Sequence, residues 1–256
     1  MSAPGTPPPE TVVAVLDVAQ RFGERIIFER VSLDVARGEV FVILGGSGCG
    51  KSTLLRQIIG LLPPSEGRVE VLGHDMYQSP EEVRHRIGVM FQSGALFGSM
   101  TLLENVMLPL EMHTDLPGGA RAEVARLKLG LVGLSDAMGL LPAEISGGMA
   151  KRAGIARALA LDPPLLFLDE PSAGLDPSTS AGLDALILEL RADLGVTFVV
   201  VTHELASILA IADRCVMLDR AARGVIAQGN PRQLRETSTE PTVRAFFHRQ
   251  VAPVAA

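Results

Sequence analysis

A chain of 256 residues with 47% hydrophobic content can bury a full core as one large domain, or as one core carrying an inserted subdomain. Its formal charge of -6, with a single Tyr and no Trp, offers neither the basic field nor the stacking platforms that hold a nucleic-acid backbone, so no nucleic-acid partner is expected. The two cysteines, Cys49 and Cys215, match no disulfide framework or metal spacing, which fits a reducing, cytoplasmic setting.

Residues 1–10, MSAPGTPPPE, have no basic or apolar segment of a secretion signal and read as a Pro-rich disordered lead. The stretches TVVAVLDVAQ and RIIFERVSLDV then alternate as strands about a turn at Gly23, and EVFVILGG is a continuous apolar run of the buried-strand type. Further runs of that type, RIGVMF, LLFLDE, VTFVVVTH and RCVMLD, are separated in several places by helical stretches. Such alternation predicts an α/β fold with a mostly parallel sheet covered on both faces.

From about residue 93 to 164 the pattern is helical only. TLLENVMLPLEMH carries Thr101 and Glu104 at capping-box spacing, GARAEVARLKLGL is amphipathic, and ISGGMAKRAGIARALA is a third helix stopped by DPP. This segment is expected to form a helical subdomain inserted into a domain spanning 11–240. Residues 241–256 read as an appended tail whose apolar Val243, Phe246 and Phe247 either dock on a neighbouring protomer or accessory protein, or pack on their own domain. No apolar run approaches the roughly 18–20 residues a spanning helix needs, so work at a membrane requires a partner that spans it.

The chemistry gathers at the ends of the apolar runs. GGSGCGKST follows a buried strand and opens a helix, fitting G-x-x-x-x-G-K-S/T over Gly45, Gly46, Ser47, Gly48, Cys49, Gly50, Lys51, Ser52 and Thr53. Its glycines let backbone N–H groups turn inward around a phosphate, Lys51 reaches the β- and γ-phosphates, and Ser52 ligates Mg²⁺. Cys49 reads as a small filler. LLFLDEP places Asp169 and Glu170 at a strand end, the first as a Mg²⁺ partner and the second to polarise an attacking water. His203, after another strand, is a candidate for contact with the γ-phosphate or the water. Gln92, where the core passes into the insert, is a candidate for Mg²⁺ or water. Ser146, Gly147 and Gly148 precede a helix whose first N–H groups are unpaired, a second anion-binding end in which glycine permits close approach. One site has no use for two γ-phosphate cradles, so the second is expected to serve the nucleotide of another copy in a head-to-tail dimer.

Together these residues resemble the ATP-binding-cassette ATPases over nearly the whole chain. The resemblance runs in order through the Walker A loop (Gly45 to Ser52), the Q-loop at Gln92, the signature ISGGM, Walker B at Asp169 and Glu170, the D-loop SAGLD and the switch His203. It implies the fold of that family: a P-loop core with an antiparallel N-terminal β-subdomain and a helical insert. It also implies ATP and Mg²⁺ as cofactors, with Phe22 at the position that stacks on adenine. The family's usual signature has Gln where this chain has Met149. SGGMAKR and SGALF are similar to the lipid-transport branch, the ATPases of Mla-type (maintenance of lipid asymmetry) and Mce-type systems. That likeness implies a homodimer on the cytoplasmic face of the inner membrane, bound to an MlaE-like permease, with an Mce-domain lipid-binding protein and a small cytoplasmic accessory subunit as further partners. An importer ATPase for a small solute is the competing expectation.

Overall fold

The computed structural model describes residues 10–250; most of the expected Pro-rich lead and the last residues of the expected tail lie outside them. β1 (Thr11–Phe22) and β2 (Arg25–Ala36) form an antiparallel hairpin closed at Gly23, whose φ of 60° suits a residue without Cβ. Glu10, expected within the lead, is instead tied down, its carboxylate accepting two bonds from Arg37 at 2.7 and 2.8 Å. After β3 (Val40–Gly45) and α1 (Lys51–Ile58), the strands β4 (Glu66–Val71) and β5 (His74–Asp75) complete a four-stranded antiparallel sheet. Then follow α2 (Glu81–Arg84), β6 (Ile87–Met90), α3 (Leu102–His113), α4 (Gly118–Leu131) and α5 (Gly147–Ala158). The chain continues through β7 (Leu165–Asp169), α6 (Pro177–Leu194), β8 (Thr197–Val201), α7 (Leu205–Ile211), β9 (Arg214–Asp219), β10 (Gly224–Gly229), α8 (Pro231–Thr237) and α9 (Pro241–Phe247).

The second sheet has six strands in the order β10-β9-β3-β8-β7-β6, all parallel except β10. Period-two alternation within the apolar central strands splits the core. Phe41 and Ile43 of β3 face the antiparallel sheet and α1, against Phe28, Leu54 and Ile58. Val42 and Leu44 face the other way, into the cluster of α5, α6 and α7 through Ile155, Ile187 and Ile208. Each such fully buried side chain contributes about 1.5–3 kcal/mol. Burial on both faces is why these strands have no polar side to show in the sequence.

The insert is fastened by its caps. Thr101 and Glu104 form the expected capping box: the Thr101 hydroxyl accepts from the Glu104 N–H at 3.2 Å, and the Glu104 carboxylate accepts from the Thr101 N–H at 2.7 Å. One turn on, the fully buried Asn105 accepts from the Phe97 N–H at 2.8 Å and donates to the carbonyls of Phe97, Met100 and Thr101. It clamps the segment that leads away from Gln92.

The C-terminal region departs from an appended arm. Val243 and Phe247 are 0% and 2% exposed within the protein's own core, and Phe246 packs beside them. Of the two expectations for this cluster, packing on its own domain is the one observed. Spacing of four residues puts Val243 and Phe247 on one face of α9, and that face closes the core.

Candidate functional site

Register in the parallel sheet decides where the chemistry lies. Ile43 of β3 and Asp169 of β7 both pair with Val201 of β8, while Leu168 pairs with Met90 of β6. The strands therefore end level. Gly45, Asp169, His203 and Gln92 all leave one edge of the sheet, the carboxyl edge where open α/β sheets take their ligands.

The loop between β3 and α1 is shaped by glycines whose freedom is used. Gly45 has φ 146°, and a Cβ there would stand 2.2 Å from the Leu218 carbonyl oxygen. Gly50, at φ 104°, caps α1 with no side-chain bond, leaving the helix's first N–H groups for an external acceptor. The Lys51 ammonium turns back over the loop and donates to the carbonyls of Gly45 at 2.9 Å and Gly46 at 3.2 Å. A cleft of about 280 Å³ above it is lined by Gly48, Gly50, Lys51, Ser52 and Thr53, with Phe22, Arg25 and Ile27 forming its far wall. Phe22, 52% exposed, thus offers an open ring face on the same cleft as the phosphate-binding backbone. Gly45, Gly46, Ser47 and Cys49 lie outside this lining. Cys49 points inward, and burial pushes its thiol up more than Lys51 draws it down, so it is an inert filler.

Beyond the loop stand the acids. Asp169 Oδ1 is buried without a hydrogen-bond partner. Burial, and then the neighbouring Glu170, raise its carboxyl above the usual range, against the pull of Arg56, Lys51 and Lys151. Glu170, buried at 8% exposure, holds a left-handed φ of 47°, a conformation that persists only where neighbours enforce it. Its N–H donates to Val201 at 2.8 Å, and its carbonyl accepts from Ala173 N–H at 3.2 Å and from Lys151 Nζ at 3.1 Å. His203 Nδ1 lies 2.9 and 3.0 Å from the two Glu170 carboxylate oxygens. The sheet edge thus brings Glu170 and His203 into direct contact. Gln92 and Asp169 share a second, larger cavity of about 600 Å³ with Arg56, Lys151 and Gly147.

Ser146 caps α5, its hydroxyl accepting from Met149 N–H at 3.2 Å, which leaves the N–H groups of Gly147 and Gly148 without an intrahelical acceptor. The cleft over the Walker A loop includes none of these three residues. Gly147 is exposed, but Gly148 is buried, and a Cβ on it would meet Thr179 Cγ2 at 2.5 Å. Glycine at 148 is therefore required by contact with α6, a reason the sequence did not suggest. Sequence reasoning also passed over Arg25, Arg56 and Lys151. Lys151 read only as a basic helix residue and as part of the SGGMAKR likeness, with no role at the site, yet it is 7% exposed.

A phosphate-binding loop after β3 and an acid pair at the end of β7, two strands away in the same parallel sheet, with a histidine from the intervening β8 against the second acid, define a nucleotide-hydrolysing cassette. The chain belongs to the ABC transporter ATP-binding family, whose profile, described as ABC transporter, matches residues 28–173. The intermembrane phospholipid transport system ATP-binding protein MlaF of Escherichia coli K12 is 43% identical, covering 92% of this chain and 88% of its own. The probable ribonucleotide transport ATP-binding protein mkl of Mycobacterium leprae is 41% identical, covering 98% of this chain and 73% of its own. Among solved structures, a dimeric ATP-binding cassette in a post-hydrolysis state with ADP and Pi is 32% identical, with a TM-score of 0.76 over 85% of this chain and 98% of that one. The protein is an ATP-binding ABC ATPase. No helix among the described residues is long and apolar enough to cross a membrane.

Proposed function

We propose that this ATPase powers phospholipid transport between membranes, working as a homodimer on the cytoplasmic face of the inner membrane beneath an MlaE-like permease. The observation that carries this reading is the 43% identity to MlaF across 92% of the chain. An Mce-domain lipid-binding protein and a small cytoplasmic accessory subunit complete the assembly on this reading. The mkl relative, named for ribonucleotide transport, favours a second reading in which the cargo is a nucleotide.

In the proposed cycle ATP lies with its adenine against Phe22 and its phosphates on the N–H groups of the loop from Gly45 to Thr53. Lys51 exchanges its carbonyl partners for the phosphate oxygens, a stronger, charge-assisted contact. Asp169 Oδ1, buried and unpartnered, fits a hard cation. Among the described residues no three His, Cys, Asp or Glu side chains cluster as a ligand set. Ser52, Gln92 and Asp169 would therefore hold Mg²⁺ with help from phosphate and water, and the ion would neutralise charge developing on the β- and γ-phosphates. Glu170 polarises the attacking water while His203 holds its carboxylate in place. Ser146, Gly147 and Gly148 receive the γ-phosphate of the partner copy's nucleotide. ATP then binds the closed dimer preferentially and shifts the population towards it, and hydrolysis releases it.

The test is purification of the tagged protein from its own membranes, with co-purifying proteins and lipids identified by mass spectrometry. A multi-spanning permease carrying phospholipid and an Mce-domain partner is the expected result. A permease with a soluble solute-binding protein, or with bound nucleotide cargo, would overturn the substrate while leaving the ATPase in place.

A further inference from the structure

The best-enforced contact between α5 and the site is made by a residue to which the reaction assigns no part. Lys151 is 7% exposed, and its ammonium donates to the Gln92 carbonyl and, at 3.1 Å, to the Glu170 carbonyl. An ammonium has three donors and no acceptor, so one side chain can satisfy two converging carbonyls from separate loops. The same face of α5 grips the Gln92 loop one and two turns later. A Cβ at Gly154 would lie 3.4 Å from Gly94 Cα, and Arg157 donates to the Gly94 and Ala95 carbonyls at 3.1 and 2.6 Å. Residues 151, 154 and 157 follow helical spacing, so α5 devotes one stripe to that loop.

We infer that Lys151 is a positioning residue for hydrolysis, holding the left-handed Glu170 and the Gln92 loop in fixed register with the signature helix. Glu170 has φ 47°, and both of its peptide groups are engaged, by Val201 on the N–H side and by Ala173 and Lys151 on the carbonyl side. Removing Lys151 withdraws one of the constraints that aim the carboxylate, and it frees the Gln92 carbonyl. Lys151 lies outside the lining of the cleft over the Walker A loop, and its bonds go to backbone carbonyls. Its loss therefore acts on turnover and spares nucleotide binding. The inference rests on Glu170 being the polarising carboxylate.

The experiment compares Lys151→Met, Lys151→Arg and Glu170→Gln in the full-length chain, measuring kcat and KM for ATP, affinity for a fluorescent ATP analogue, and the thermal midpoint. Lys151→Met should lose ~10- to 100-fold in kcat, as a misaimed group does, with analogue affinity nearly unchanged. Lys151→Arg, which keeps donors for both carbonyls, should recover most of that loss. If Lys151→Met does not fold, Lys151→Gln, whose shorter side chain keeps an amide donor, takes its place and should show a smaller loss of the same kind. Wild-type kcat in Lys151→Met, with Glu170→Gln inactive, overturns the inference alone. Equal losses of affinity and kcat that Arg does not repair make Lys151 a packing residue and also overturn it. Normal turnover in Glu170→Gln removes the assignment of Glu170 itself.

Discussion

Gly148→Ala tests whether the signature glycine is required by its own chain. The added Cβ would stand 2.5 Å from Thr179 Cγ2, about 1 Å inside ordinary carbon contact. Thr179 cannot simply turn away, because its hydroxyl donates to Asp176 at 2.5 Å and its N–H to the same carboxylate at 3.1 Å, as part of the α6 cap. Overpacking of this kind costs about 1–3 kcal/mol, and the half-buried Thr179 places the cost toward the lower end. Thr179→Ser removes the offending methyl and keeps the hydroxyl, so the double variant should regain nearly all of the stability. Urea denaturation of the wild type, both single variants and the double variant reads the coupling directly. A Gly148→Ala protein as stable as wild type, or one that Thr179→Ser does not repair, refutes the reasoning. ATPase activity of the repaired double variant then asks a separate question: a stable but inactive protein would show that glycine at 148 also serves the nucleotide.

Four further outcomes follow from the site. Lys51→Ala should weaken ATP binding by about 1.5–3 kcal/mol, the worth of a charged hydrogen bond, and titration calorimetry showing unchanged affinity would count against the phosphate cradle. Glu170→Gln should lower kcat by ~10²–10⁴-fold while ATP still binds, read by phosphate release; turnover within a few-fold of wild type removes its role. Asp169 has its carboxyl raised by burial and by Glu170, so its folded form favours the proton and the folded protein gains stability as pH falls through the raised pKa towards the ordinary one. Asp169→Asn should therefore raise the thermal midpoint of the nucleotide-free protein near neutral pH, with the gain shrinking on acidification; a lower midpoint at neutral pH contradicts the sign. Asn105→Ala leaves part-buried backbone groups at Phe97, Met100 and Thr101 short of partners and should cost about 1–2 kcal/mol in denaturant unfolding, whereas a loss under 0.5 kcal/mol would show that water replaces the clamp.

What the sequence disclosed follows physical lines. β3, β7 and β8 are buried on both faces, so their residues form unbroken apolar runs that announce a parallel sheet. β4 and β10 were missed because EGRVEV and GVIAQG have few apolar residues, and β10 is an edge strand that needs only one good neighbour. The phosphate loop, the acid pair and the α5 cap were legible because each needs particular residue types at fixed local spacing. Gly148 was legible as a glycine but not in its reason, since Thr179 reaches it from another helix. Lys151 left no local signal, because its partners are backbone carbonyls that any residue could supply.

These long-range contacts also bear on how a cassette of this build can respond to ATP. α5 is held at its N-terminus by the close approach of Gly148 to Thr179, just after the D-loop, and farther along by Lys151 and Arg157 on the Gln92 loop. The signature end, the D-loop helix and the Gln92 loop are therefore parts of one packed unit, and close-packed units shift as bodies because their contacts do not stretch. A nucleotide engaged at Ser146 to Gly148 by a second copy would pull on that unit at one end, and the Gln92 and Glu170 carbonyls on Lys151 lie along its length. Coupling of this kind works through two discrete arrangements of the unit, both biased by nucleotide. Loosening one tether should then change the two ends unequally. Thr179→Ser in an otherwise native chain should leave both turnover and dimer closure intact, whereas Lys151→Met should uncouple them, allowing ATP to close the dimer of a protein that hydrolyses slowly. Sizing by light scattering with ATP, set beside phosphate release, reads both quantities, and parallel loss of closure and turnover in Lys151→Met would refute the separation.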